Sequence, residues 1–300
     1  MELRVLRYFL AVVREQTVSA AAESLHLTQP TLSRQLHDLE AELGKTLFVR
    51  GKHKIELTEE GMLLRKRAEQ ILELVSRTEN DIAASDESLA GDVYLGAGET
   101  DAIKLAARAA NRMQKHYPLV HLHIHSGDGQ DVIDRLDRGL SDFGIVFTPV
   151  DDSRHHAIRL PLRDEWGLLM RRDAPLAQKS AIQPADLRGI PLIVSRQLSD
   201  KTPLTKWLGV PLEKLNVVST YNLVYNASVM VREGMGYALT LDKLINVSGE
   251  SDLCFLPLAP AVYAEMHLIW NKYQIMSKSA GKFLSFFKAE IETESQKEKI

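Results

Sequence analysis

Gln29, Pro30, Thr31, Ser33, Arg34 and His37 crowd one short stretch of the chain, HLTQPTLSRQLHDLEAELG, residues 26–44. Amide and hydroxyl side chains of this kind can bond base edges or phosphate oxygens, and arginine can hold guanine through two parallel hydrogen bonds. A second cationic group follows closely. Arg50, Lys52 and Lys54, with Lys45 and His53, occupy residues 45–55, where no acid occurs. Such a local patch suits phosphate backbone, although on its own it reads equally well as a solvated loop.

Chemistry of this sort needs a scaffold. Leu32, Leu36, Leu39 and Leu43 recur at helical spacing and mark a buried stripe. Pro30, Arg34, His37 and Ala41 then fall on the opposite face, with Thr31 and Asp38 on one flank and Ser33 on the other. Pro30 costs little in a first turn, whose N–H groups have no intrahelical partner, and Gly44 sits where a left-handed cap is expected. Upstream, residues 3–14 form an amphipathic helix with Leu3, Leu6, Leu10 and Val13 on one face, flanked by Val5 and Phe9. Residues 19–26 (SAAAESLH) form a second short helix, with Ser19 a candidate cap. A short helix, a turn and a polar-faced helix make a helix-turn-helix, here about 18–37, whose second helix enters the major groove by its amino end. Phe48–Ile55 is then a β-hairpin wing with Gly51 near its tip. We therefore expect a DNA-binding unit over 1–58.

Thr58-Glu59-Glu60 offers a helix cap and acids at the positive end of a helix dipole. Leu64, Ala68, Ile71, Val75, Thr78 and Ile82 then repeat at steps of four and three, and Ser85 and Leu89 continue the register. About thirty residues at 1.5 Å each make a rod of roughly 45 Å. The narrow seam predicts a dimerisation linker over 59–90, through Leu64, Ala68, Ile71, Val75 and Ile82. The alternative is a helix that lies on its own domain.

Beyond Gly91, strands and helices alternate. Residues 93–98, 121–125, 143–147, 166–170, 191–195, 216–220, 237–241 and 263–270 read as strands, and 101–117, 131–140, 222–234 and 278–291 as helices, with a frayed tail after them. Such βαβ units predict a mostly parallel, doubly wound sheet in two similar lobes with a cleft between them. The lobes are expected at about 91–160 with 266–292, and at about 161–265. Asp151-Asp152 beside His155-His156 reads as the loop between them.

The 300 residues are 45% hydrophobic and 26% charged with a net charge of −3, which fits a globular chain of two or three domains and makes any basic surface local. No apolar run approaches the roughly 18 residues of a membrane span, and the chain opens straight into a helix, so neither a membrane partner nor a secretory leader is expected. Cys254 is the single cysteine; it excludes an internal disulfide and fits a reducing cytoplasm. Gly96-Ala97-Gly98 lacks the third glycine of a dinucleotide fingerprint, so no cofactor is expected. His121, His123 and His125 share one strand face, but without a fourth ligand in view no metal is expected.

Residues 21–50, AAESLHLTQPTLSRQLHDLEAELGKTLFVR, followed by LTEEG at 57–61, resemble the N-terminal region of LysR-type transcriptional regulators. The likeness includes Gln29-Pro30, Ser33-Arg34 and Leu47-Phe48 with Arg50. Tyr117-Pro118, Gly139 with Asp142, and Val231 with Gly234 and Gly236 resemble that family's effector region more weakly. The resemblance implies a winged helix-turn-helix (all-α with a small β wing), a long dimerisation linker helix, and two α/β lobes similar to a type 2 periplasmic binding protein. It also implies a homodimer or homotetramer on double-stranded promoter DNA, with a small-molecule effector, a small polar organic molecule, in the cleft. By that resemblance the effector contacts fall at strand ends: Thr100, Ser126, Phe147, Ser195, Arg196, Tyr221 and Thr240. Free backbone N–H groups and hydroxyls at such positions suit an anion, yet any one such hydroxyl is more often a helix cap than a ligand contact. Glu99 beside Thr100 speaks against a simple carboxylate ligand.

An enzyme or solute-binding protein with a dimerising helical extension is the competing reading. No Ser/His/Asp ordering, metal cluster or phosphate loop supports it. A purely architectural DNA protein leaves the α/β lobes without a purpose.

Overall fold

A computed structural model describes residues 1–50, 54–83, 89–147, 150–198 and 202–297. The chain divides into two compact units, Met1–Ala83 and Ala84–Ile300.

In the first unit α1 (Leu3–Glu15), α2 (Val18–Ser24) and α3 (Gln29–Leu43) precede strands β1 (Phe48–Arg50) and β2 (Ile55–Leu57), and α4 (Glu59–Ala83) follows. α2 is capped by Thr17, whose hydroxyl accepts the Ala20 N–H at 3.2 Å, two residues before the expected Ser19. The buried side of α1 is Val5, Leu6, Phe9 and Val12, whereas Leu3 is exposed, so the inward face is rotated from the predicted stripe. On α3 the stripe ends at Leu39; Leu43 lies beyond the helices that cover the stripe and is 40% exposed. β1 and β2 pair antiparallel, with Val49 opposite Glu56.

The second unit is built on a nine-stranded sheet in the order β4-β3-β5-β11-β6-β9-β7-β8, with β10 paired to β6. Its strands are β3 (Gly91–Ala97), β4 (Val120–Ser126), β5 (Phe143–Phe147), β6 (His155–Arg171), β7 (Leu192–Ser195), β8 (Val217–Tyr221), β9 (Tyr237–Leu241), β10 (Leu253–Pro257) and β11 (Tyr263–Asn271). The helices are α5 (Ile103–His116), α6 (Gly129–Asp137), α7 (Pro203–Leu208), α8 (Val224–Arg232) and α9 (Lys278–Lys297). Parallel trios at either end, β4-β3-β5 and β9-β7-β8, are joined through antiparallel β11 and β6. The sheet is therefore mixed, with two parallel halves rather than a mostly parallel whole. The first half buries Leu95, Phe143, Phe283 and Phe287 on one face and Val132, Leu136 and Ile269 on the other.

β6 corrects the sequence reading most. It runs unbroken through residues 155–171 instead of beginning at 166, because the register shift between Glu265 and His267 on β11 leaves Leu160–Leu162 unpaired and takes up Pro161 in a bulge. His155 is consequently no loop residue: it is buried, with Nε2 2.9 Å from Asp137 Oδ1. α9 likewise continues past the expected frayed end, since Glu290 and Glu294 meet Arg112 and Arg108 of α5, each at 2.7 Å.

Candidate DNA-reading face and effector cleft

α3 starts cleanly because Thr28, extended at φ −78° and ψ 144°, accepts the Thr31 N–H on its hydroxyl at 3.4 Å. Pro30 occupies the first turn, where no intrahelical acceptor is lost. Leu32, Leu36 and Leu39 anchor the helix in a core shared with Phe9, Val12, Ala21 and Leu47. Gln29, Pro30, Thr31, Arg34 and His37 are left exposed, with Ser33 half-buried beside them. Among the described residues Arg34 has neither ion pair nor hydrogen bond, so its guanidinium is unspent. Glu40 ties the wing to the same helix, its Oε1 accepting the N–H of Leu47 at 2.6 Å and of Phe48 at 3.3 Å. Lys54 is exposed at the foot of the wing, and the Ile55 N–H donates to the Gln16 carbonyl at 2.9 Å. Arg50 ends β1. Lys52 lies outside the described residues.

The expected dimer seam divides in two. Ala68 is fully buried, and Leu64 and Ile71 are half-buried, against the first unit's own core. The first unit's own core takes up Ala68 wholly and Leu64 and Ile71 in part, so Ala68 has no surface left for a dimer contact. Val75 is half-buried, while Ile82 is 80% exposed and Leu63 and Leu74 are also open. A periodic stripe records that a helix is covered, and the pattern does not say by what.

In the second unit the candidate effector residues do gather. The turns after β3 and β4 meet the end of β7 and the start of α8. Arg196 carries one set of cross-contacts: its Nε donates to Asp128 Oδ2 at 2.6 Å, and its Nη2 lies 3.2 Å from Asp131 Oδ2. The Gly129 N–H donates to Gln197 Oε1 at 3.0 Å. On a second point of the seam the Val224 N–H donates to the Glu99 carboxylate. Ser126 and Arg196 are exposed there, Ser195 and Phe147 half-buried.

Three predicted hydroxyls are committed elsewhere. Thr100 is buried and donates to Asp164 Oδ2 at 2.6 Å while accepting the Ala102 N–H at 3.1 Å. Tyr221 is buried and donates to the Leu239 carbonyl at 2.7 Å. Thr240 is buried close to it. Thr100 and Tyr221 tie neighbouring segments of the sheet together instead.

Charge is distributed unevenly along this seam. Burial works against the charge of Asp128, but the Asp131 amide, Arg196 and the Gln130 amide together hold its carboxyl below the ordinary value. Burial raises the Glu99 carboxyl, and the Val224 amide offsets this only in part. Burial likewise raises Asp164 against the opposing pull of the Thr100 hydroxyl. The Tyr221 phenol is pushed up to about 12 by burial, with Glu99 adding to the rise. Asp131 and Gln197 escaped the sequence reading, and Asp128 entered it only as the end of the loop Ser126-Gly127-Asp128. Asp128-x-x-Asp131 is nevertheless a capping-box pattern, and the side chain of each residue takes the other's amide at the start of α6.

His123 Nε2 lies 3.0 Å from Asp92 Oδ1 and stacks on Tyr94, and among the described residues no group of three or more ligating side chains could hold a metal ion. No helix among them is long and apolar enough to cross a membrane.

Comparison with known proteins follows the same division. Residues 3–62 match the profile described as bacterial regulatory helix-turn-helix protein, lysR family, and residues 86–292 match the LysR substrate binding domain. The HTH-type transcriptional regulator YfeR of Shigella flexneri, itself uncharacterised, is 26% identical over 284 residues, 93% of this chain and 90% of YfeR. The DNA-binding transcriptional dual regulator OxyR of Escherichia coli (strain K12) is 30% identical over 195 residues, 65% of this chain and 63% of OxyR. Full-length CbnR, solved in complex with its target DNA, superposes with a TM-score of 0.73 at 20% identity, covering 97% of this chain and 100% of that one. That likeness establishes the shared fold.

Proposed function

This chain belongs to the LysR family of bacterial transcriptional regulators, and from that premise we propose that it binds promoter DNA through α3 and the wing under the control of a small molecule held between the halves of its second unit. The observation that carries the reading is the exposed Arg34, unpaired among the described residues, on a helix whose other face is locked into a core. Gln29, Thr31 and Ser33 flank it for base edges or phosphates, Pro30 keeps the tip low, and His37, Arg50, Lys52 and Lys54 meet the backbone. Ser126, Phe147, Ser195 and Arg196 line the effector cleft, and Thr100, Tyr221 and Thr240 support it.

The chain acts as a homodimer or homotetramer in the cytoplasm, with the solvent-facing residues Leu63, Leu74 and Ile82 of α4 contributing to assembly. The DNA-binding unit spans 1–58, the linker 59–90 and the effector region 91–300, the two halves of the last divided where β6 crosses. Regulation is by closure of those halves and not by catalysis. Redox control through Cys254 is disfavoured, because burial pushes its thiol up, away from the thiolate that reacts.

A gel shift with the DNA upstream of the chain's own gene tests the reading. Specific retardation by the native protein and its loss in Arg34→Ala are the expected results; equal retardation of unrelated DNA by both proteins refutes it. Turnover in a substrate screen, with no retardation, would favour the enzyme alternative.

A further inference from the structure

α5, α6 and α8 all begin at the seam where the halves of the second unit meet, and the chain's own oxygens already meet each amino end. At α6 the seat belongs to Asp128, backed by Asp131. At α5 the Thr100 hydroxyl takes the Ala102 amide. α8 differs, since its own cap residue, Leu223, supplies no side-chain acceptor. The Val224 amide turns instead to Glu99, a residue of the opposite half.

We propose that Glu99 is the resident anion of this cleft. Its carboxylate fills the anion seat at the head of α8, links the two halves without a ligand, and restricts the ligand to neutral or cationic molecules that donate hydrogen bonds. The inference rests on the reading of the cleft as an effector site.

A helix amino end favours negative charge, and a carboxylate ligand is the usual way to supply it. Here a ligand carboxylate meets a seat already filled. At about 4 Å, with the screening typical near a protein surface, the repulsion between two like charges lowers affinity roughly a thousandfold. Arg196 does not relieve it, because Asp128 and Asp131 engage it. Glu99 forms no ion pair among the described residues, and of its two oxygens only Oε2 accepts a hydrogen bond. The other oxygen is a half-buried acceptor without a donor, the position a ligand N–H or O–H completes. The Tyr221 phenol beside it is turned to Leu239 and cannot serve.

Amide hydrogen exchange on the full-length protein, read at the start of α8, tests this. In the wild type the Val224 amide is expected to be protected, and sodium acetate to change nothing beyond an equal concentration of chloride. Glu99→Ala is expected to exchange roughly fivefold faster, the scale of a lost cap, and acetate to restore its protection by entering the vacated seat. Unchanged exchange in Glu99→Ala, failure of acetate to restore it, or protection of the wild type by acetate each overturns the proposal. Should the alanine variant not fold, Glu99→Gln keeps the shape and removes the charge; its Val224 amide is expected to exchange faster than wild type, and equal exchange overturns the assignment. The readout contains no DNA, so its failure leaves the regulator reading standing, and failure of the Arg34 gel shift leaves the seat standing.

Discussion

The hydroxyls of Thr28 and Thr31 lie 2.7 Å apart at the amino end of α3, and the Thr28 oxygen also accepts the Thr31 amide. The cap thereby orients the hydroxyl of Thr31, one of the groups proposed above to meet DNA. Replacing Thr28 by alanine removes both contacts. We expect Thr28→Ala to destabilise the first unit by about 1 kcal/mol, the ordinary worth of a cap, and to weaken DNA binding through a frayed α3. Denaturant unfolding of the variant, followed by gel shift, measures the two effects separately.

Arg34 and Lys54 should fail differently. Losing a bidentate base contact costs about 1–3 kcal/mol and erases discrimination at one base pair, so Arg34→Ala is expected to lose roughly ten- to a hundredfold in specific affinity. Lys54→Ala, which removes a proposed phosphate contact, is expected to weaken binding to all sequences alike and to reduce the slope of log affinity against log salt by about 1. Titrations at several salt concentrations against operator and scrambled DNA distinguish the two.

Two positions of the α4 repeat should also separate. Ala68 is packed into its own unit, so Ala68→Asp buries an unpaired charge and should lower the melting temperature steeply. Ile82 is open, so Ile82→Lys should leave melting almost unchanged while weakening self-association. Light scattering beside thermal melts checks both; equal loss of stability in the two variants contradicts the division of the seam.

Asp164 gives a pH prediction with a definite sign. Burial raises its native carboxyl above the unfolded value, so the native state binds the proton more tightly. The associated stability is complete below the unfolded value near 4 and is lost as pH rises through the native one. Asp164→Asn keeps an acceptor for the Thr100 hydroxyl and carries no charge. It is expected to melt at or above the wild type at pH 7, with the difference closing towards pH 4. A variant that melts lower at pH 7 would show that the carboxylate's charge is stabilising there.

What was legible in the sequence was local. α3 could be read because its leucine spacing, Thr28, Pro30 and Gly44 act within a few residues of one another, and the exposed face of Arg34 follows from the buried one. The lower half of β6 was hidden because Pro161 and the charges of LRDE break the alternation, and the bulge that admits Pro161 is set by β11, far along the chain. Ala68 was read as meeting a partner chain when its own unit buries it, since periodicity carries no address. Glu99 stood out as an acid in an awkward place. Its partner could not be read, because the Val224 amide lies 125 residues away and carries no side-chain signature.

β11 enters the sheet between β5 and β6, so the first half of the sheet remains one strand short until residues 263–271 have been made. At synthesis rates of about 5–20 residues per second, the wait between the emergence of β5 and of β11 is on the order of ten seconds. The helix-turn-helix, complete by residue 83, is finished well before. Throughout that interval the nascent chain carries a complete first unit and an open, apolar β5 edge, Ile145 and Val146, the kind of unpaired strand that invites pairing with another chain.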